Sequence, residues 1–258
     1  MRALLDRPVA APAIAVMGVW DPVLPVHRQL FAEVIAHAHA RNRAALAILL
    51  DPDPRWLLYG PARWPVYDDG ETRRRLLRAV GFDAVLGLLF EAADIHGGAA
   101  EVFDRVTRQV RLEELWLGAN QRLGSGDGGS ASTVQRVAAQ HHVALRRLPD
   151  VATLPQANQV RGLLAQGRVT AAAAIVGHPP ARRQPPDGTL RFAWSPGIYR
   201  AAGTTSDAAV CHFVISLEAK PDGLAAFSWP QPTIRQLEFI AGPGEEQEVI
   251  SGDIELTA

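Results

Sequence analysis

The sequence predicts an α/β fold, a doubly wound parallel sheet followed by a small antiparallel β domain. Three observations predict it. Over the first two thirds of the 258 residues, short continuous apolar runs alternate with stretches whose apolar residues recur at helical spacing. The texture then changes at residues 178–188, HPPARRQPPDG, rich in proline and arginine. Beyond that point the pattern is short β runs separated by turn residues.

Residues 13–19 (AIAVMGV) form an apolar run of the kind a strand buried on both faces requires. Residues 28–41 follow as a helix, with Leu30, Phe31, Val34, Ile35 and Ala38 on one side. Residues 44–50 (AALAILL) give the next strand, closed by the turn signal Asp51-Pro52-Asp53-Pro54. A helix over 71–79, a strand over 84–89, a helix over 99–110 and a strand over 114–117 continue the alternation. A Gly/Ser-rich loop, 124–130, leads into a helix over 131–141 and a fifth strand over 143–148. In such sheets the crossovers are right-handed, and a ligand sits beyond the carboxyl ends of the strands where their order reverses. Residues 159–165 and 169–176 read as two short helices, and 178–188 as a stiff linker. The β runs 190–194, 210–217, 224–229, 234–240 and 248–256 then build a small antiparallel sheet or barrel. The boundary falls near Pro180, giving domains 1–179 and 180–258.

Composition narrows the function classes. With 26 basic and 27 acidic residues the net charge is −1, so nothing favours a nucleic-acid partner. Cys211 is the only cysteine, which excludes an internal disulfide and a multi-cysteine zinc site and suits a reducing, cytoplasmic setting. The apolar stretch 9–20 is too short to span a bilayer, is interrupted by Pro12 and lacks the pattern of a secretory signal, so no membrane partner is expected. No metal-ligand set stands out. His141 and His142 are adjacent and His37 and His39 lie two apart on a helix, so each pair points to different faces.

The segment Gly18-Val19-Trp20-Asp21-Pro22-Val23-Leu24-Pro25-Val26-His27-Arg28-Gln29 resembles the opening motif of the bacterial bifunctional riboflavin kinase/FAD synthetase family, in which a strand ends in Gly-x-Phe-Asp-Gly and continues through Val-His-x-Gly-His-Gln. Further segments fall in the same order. Leu50-Asp51-Pro52-Asp53-Pro54 is similar to the family's Phe-Asp-Pro-His-Pro, and residues 118–124 to its flavin-side loop. Gln156-Ala157-Asn158-Gln159-Val160-Arg161 stands where the family has Ser-Ser-Thr-Arg-Ile-Arg. Pro196-Gly197-Ile198-Tyr199 and Leu237-Glu238-Phe239-Ile240 resemble strands of the riboflavin kinase barrel. The resemblance implies a Rossmann-like nucleotidyltransferase domain, FMN or FAD and ATP with Mg²⁺ as cofactors, and a truncated kinase-like β-barrel. Carried over residue by residue, it puts His27 and Arg161 in catalytic roles and Gly18, Asp21, Asn120 and Gly124 in cofactor binding.

The departures matter as much as the matches. Adenylyl transfer needs phosphates held in line and charge at the α-phosphate stabilised by donors. Leu24 stands in place of the family's first histidine and donates nothing, Val26 crowds the backbone where the family has glycine, and Pro22 removes an N–H. At the second phosphate motif only Arg161 survives of the charged and hydroxyl donors. The kinase motif Gly-Phe-Pro-Thr-Ala-Asn has no counterpart between Gly188 and Gly197, its acidic residue has no equivalent, and its long C-terminal helix is missing before Ala258. The expectation is a diverged member without riboflavin kinase or ordinary FAD synthetase activity, a pseudoenzyme binding a flavin or nucleotide. The alternatives are an active FMN adenylyltransferase or a related nucleotidyltransferase with altered substrate, and a structural partner subunit of an enzyme complex.

Each residue also has an ordinary reading. His27 stands at a helix start, where a histidine serves as a cap or packs on the surface; Asp21 caps a helix as readily as it holds a metal or ribose. Asn120 before a glycine-rich turn suits the backbone alone, and Gly124 with its loop is a phosphate cradle or a connector. Asp68-Asp69-Glu71 reads as an acidic helix start, Arg73-Arg74-Arg75 as a solvated face, and Cys211 as a small buried hydrophobe. Trp56, Tyr59, Trp64 and Tyr67 fall in a loop where they either stack on a flat ring or pack against the second domain.

Overall fold

A computed structural model describes residues 1–60, 64–119, 121–124, 126–148, 153–184, 189–220, 222, 224–229, 233–245 and 254–256. The chain divides into two compact units. The first comprises Met1–Trp20, Pro25–Leu58 and Arg74–Ala152; the second comprises Asp21–Leu24, Tyr59–Arg73 and Thr153–Ala258.

The first unit holds a six-stranded sheet in the order β1-β4-β3-β2-β5-β6. Its strands are β1 (Arg2–Leu5), β2 (Ala13–Gly18), β3 (Ala44–Asp51), β4 (Ala84–Leu89), β5 (Leu112–Leu117) and β6 (Ala144–Arg147). All pairings are parallel except β1 with β4. Every residue of β2 is buried, as a central parallel strand covered on both faces must be. The helices α1 (Pro25–His39), α4 (Ala99–Thr107) and α5 (Ala131–Gln140) belong to this unit; α2 (Pro54–Tyr59) and α3 (Gly70–Val80) complete the alternation. α1 buries Leu30, Phe31, Val34 and Ala38, the spacing read from the sequence, and Pro25 occupies its first turn, where its missing N–H costs nothing. Strand order runs from β2 through β3 to β4 on one side and returns through β5 and β6 on the other, so the reversal lies at the carboxyl ends of β2 and β5.

The second unit holds α6 (Thr153–Ala165), α7 (Val169–Val176) and a curled sheet ordered β7-β12-β9-β10-β11-β8, with β13 beside β10. The strands are β7 (Ala181–Arg183), β8 (Thr189–Phe192), β9 (Gly197–Thr205), β10 (Val210–Ala219), β11 (Ala225–Ser228), β12 (Ile234–Ala241) and β13 (Ile254–Leu256). Burial along β12 alternates, as expected of an antiparallel strand with one face on the core. Tyr199, Phe239 and Trp194 pack edge to face at its centre. Among the described residues the path from β7 to β8 stays open, so the expected barrel is a half-barrel.

Several local expectations change. The stiff linker contains a strand: β7 pairs antiparallel with β12, and Asp69 accepts the Arg183 N–H. The aromatic loop is partly helix α2. The run Arg73-Arg74-Arg75 is not a solvated face throughout; Arg73 is buried because it shares the inner side of α3 with Leu77, four residues on. Cys211 is half-buried rather than fully so.

Candidate functional site

The carboxyl end of β2 is built from an aromatic cluster in the first unit. His27 and Phe31 stand one turn apart on α1, and their rings stack at 5.9 Å. Trp20 meets Phe31 edge-on at 5.3 Å, and Phe31 meets Phe82 edge-on at the same distance. Gly18, the last residue of β2, lies beneath the Trp20 indole: a Cβ there would come within 2.6 Å of Cε2 and 2.7 Å of Nε1. Burial pulls the His27 imidazole down to a pKa of about 4, so at neutral pH it carries no positive charge. A base held neutral in the fold binds its proton more readily when unfolded, so stability is full above the ordinary pKa of 6.5 and drains as pH falls towards 4. Urea unfolding at pH 7 and pH 4 is expected to show wild type losing about 2–3 kcal/mol more than His27→Gln across that interval.

The loop after β5 is held by Arg147, whose guanidinium donates to the carbonyls of Gly118 at 3.1 Å and Gln121 at 3.0 Å. Asn120 lies outside the described residues. Gly124, at φ +106°, packs against another loop; a Cβ there would lie 2.5 Å from the Gly97 carbonyl oxygen and 2.8 Å from the Gly98 Cα. The N-terminus of α5 is capped by Ser130, whose hydroxyl accepts the Thr133 N–H at 3.3 Å. Gly124 is thus a point of close backbone packing, and the helix that follows the loop carries its own cap.

In the second unit, Asp21 is buried and its carboxylate accepts the N–H groups of Tyr67 and Asp68, both at 3.0 Å. It holds a bend 46 residues away rather than the start of α1. Its carbonyl oxygen accepts from Arg161 Nη2 at 2.9 Å. Arg161 also donates to Asn158 Oδ1 at 3.3 Å, and its guanidinium lies 4.4 Å from the centre of the Trp64 ring. Tyr67 is fully buried, donating to the His178 carbonyl, so it offers no face to a ligand. Asp68 is fully buried as well; burial first, then the Asp21 charge, push its carboxyl well above the usual range. One oxygen accepts the Ala181 N–H at 3.2 Å, and the other faces His178 Nε2 at 3.4 Å. Asp69, by contrast, caps α3 through the Thr72 N–H at 2.7 Å, as the acidic helix start predicts. Leu24, in place of a histidine, is fully buried.

The structure thus brings Gly18 and His27 to one aromatic cluster and Asp21 to Arg161, while Gly124 packs on Gly97–Gly98. Sequence reasoning passed over Trp20, Arg147 and the buried role of Asp68. Among the described residues no group of three or more His, Cys, Asp or Glu stands together to hold a metal ion, and no helix is long and apolar enough to cross a membrane.

A family model for FAD synthetase matches residues 6–158, from just after β1 into α6. The chain belongs to the FAD synthetase family. No curated protein matches it. Among solved structures, it is similar to a macrolide-efflux protein from Streptococcus pneumoniae, with a TM-score of 0.61 and 16% identity over 95% of this chain and 90% of that one. At that identity the likeness is one of fold. Membership of the FAD synthetase family fits the parallel sheet with its reversal at β2 and β5, and implies a flavin- or nucleotide-related function.

Proposed function

We propose that this chain is a flavin- or nucleotide-binding accessory protein of the FAD synthetase family that no longer transfers adenylyl groups at an ordinary rate. One observation carries the reading: Arg161, the surviving cation of the second phosphate motif, is engaged with the Asp21 carbonyl, Asn158 and Trp64. Two others support it. His27, the surviving histidine of the opening motif, is neutral, and Gly18 is covered by an indole. None of these residues offers a triphosphate the uncommitted cation that in-line transfer needs, which is compatible with binding and opposes transfer. We extend the proposal to the second unit as a kinase-like half-barrel without kinase activity, because the hydroxyl and amide of the kinase motif have no counterpart there. The flavin or nucleotide is the partner we expect, in a cytoplasmic setting.

The second reading is a working FMN adenylyltransferase, favoured by the family match, which covers the whole opening motif and the loop after β5. Incubation of purified protein with FMN and Mg·ATP, with chromatography for FAD and pyrophosphate, separates the two. The accessory reading expects FMN or ATP to bind without product. FAD formed over many turnovers and lost in His27→Ala would establish the enzyme instead. A protein that binds neither ligand and copurifies with another chain would point to a structural role.

A further inference from the structure

We propose that Trp20 is a built-in plug of the ligand crevice at the end of β2: its indole covers the bare backbone of Gly18, and the planar ring of a nucleotide enters there only when the indole swings away. The inference rests on the reading of this chain as a flavin- or nucleotide-binding protein and adds how entry to that site is controlled.

Three observations meet at this residue. The first is place. Gly18 ends the central strand at the point where strand order reverses, which is where an open α/β sheet presents its ligand crevice. A glycine there leaves a flat patch of main chain, the surface on which a planar ring rests. The second is occupancy. The indole lies so close to that patch that even one added carbon on Gly18 would collide with Cε2, Nε1 and Cζ2 at 2.6, 2.7 and 3.0 Å. A purine or flavin ring cannot share that volume. The third is backbone conformation. Trp20 has φ +45°, the left-handed region that a bulky side chain rarely adopts. What keeps it there is packing: the flat contact with Gly18 and the edge-on contact with Phe31 at 5.3 Å. Leaving the patch forfeits that packing and relieves the backbone, so the two costs oppose each other and the plug is poised rather than locked.

The cluster also gives the plug a consequence. Phe31 stacks on His27 as well as meeting Trp20, so removing the indole opens one side of the aromatic ring that shelters the imidazole. An emptied crevice then brings water towards His27, and its pKa climbs back towards the ordinary value.

Trp20→Gly tests this, because glycine adopts positive φ without strain and removes the indole. Trp20→Phe, which keeps a smaller ring, guards against loss of the fold. Calorimetric titration with Mg·ATP and with FMN is expected to give affinity for ATP about tenfold tighter or more in Trp20→Gly, with Trp20→Phe between it and wild type, since apparent affinity rises with the fraction of molecules whose site is open. NMR titration is expected to show the His27 pKa rising from about 4 in Trp20→Gly. Equal affinities in all three proteins overturn the plug and leave the binding reading standing. Weaker binding in both variants overturns it in favour of Trp20 as a stacking platform. Failure of every variant and wild type to bind ATP or FMN overturns both the plug and the reading beneath it.

Discussion

Asp21→Ala is expected to destabilise the second unit by about 3 kcal/mol or more, measured by urea unfolding at pH 7. Asp21 is 5% exposed, and its carboxylate accepts two buried backbone N–H groups, those of Tyr67 and Asp68. Alanine leaves both donors without an acceptor in a place water does not reach, and each orphaned group costs about 1–3 kcal/mol. Asp21→Asn is the informative control. Oδ1 takes both bonds and an amide oxygen in the same place keeps them, but Oδ2 also lies 3.1 Å from the Tyr67 N–H, so the amide NH2 of asparagine faces that donor. Loss of the charge has an offset: the Asp21 charge helps hold the Asp68 carboxyl high, and neutralising it eases that repulsion. Asp21→Asn is therefore expected to cost about 1–2 kcal/mol, less than Asp21→Ala because both donors keep an acceptor. If Asp21 instead served a ligand alone, both variants would unfold like wild type and differ only in binding.

That contrast shows where the sequence stops being readable. Asp21 was legible as a residue of interest, because it falls in the opening motif three residues after the glycine that ends an apolar strand. Its partners were not, because they lie 46 and 47 residues along the chain. The parallel sheet was legible for the opposite reason: β2, β3 and β4 are buried along nearly their whole length, and burial on both faces writes itself into the sequence as an unbroken apolar run. The helix over 169–176 was read to the residue, since Gly177 ends it in a left-handed cap that only glycine favours. β7 was hidden by its composition. Ala181-Arg182-Arg183 between proline pairs looks like linker, and becomes a strand only because β12 and the acidic pair Asp68-Asp69 receive it. Arg182 is buried there because it donates to the carbonyls of Tyr67 and Val66 and lies over Trp194 at 5.4 Å. The site fared likewise. A motif names residue types in order, and it cannot say that Trp20 folds back on Gly18 or that Arg161 is held by the Asp21 main chain, because both depend on rotamers and backbone angles that no spacing encodes.

Gly124→Ala is expected to cost about 3 kcal/mol or more, and Gly128→Ala, four residues on in the same loop, less than about 1 kcal/mol. The two glycines look alike in sequence. Gly124 has φ +106° and faces backbone: its new methyl would sit 2.5 Å from the Gly97 carbonyl oxygen and 2.8 Å from the Gly98 Cα, neither of which can move without shifting the start of α4. Gly128 would place a methyl 3.6 Å from the Gly98 Cα, an ordinary contact. Ser130→Ala belongs between them, at about 1 kcal/mol, because it removes the α5 cap. The ordering, read by thermal or urea unfolding, bears directly on the glycine-rich loop as a phosphate cradle. A cradle brings phosphate against the bare backbone along the whole loop, so a methyl on Gly128 would stand between the two and weaken ATP binding although the fold is untouched. A joint works through particular close approaches, Gly124 on Gly97–Gly98 and Gly129 on the Gly124 carbonyl, so Gly128→Ala leaves both stability and ATP affinity where they were, while Gly124→Ala collapses the first and takes the second with it only as far as the fold is lost. Agreement with the joint moves the search for phosphate contacts away from α5 and back to the end of β2, where Trp20 and His27 stand.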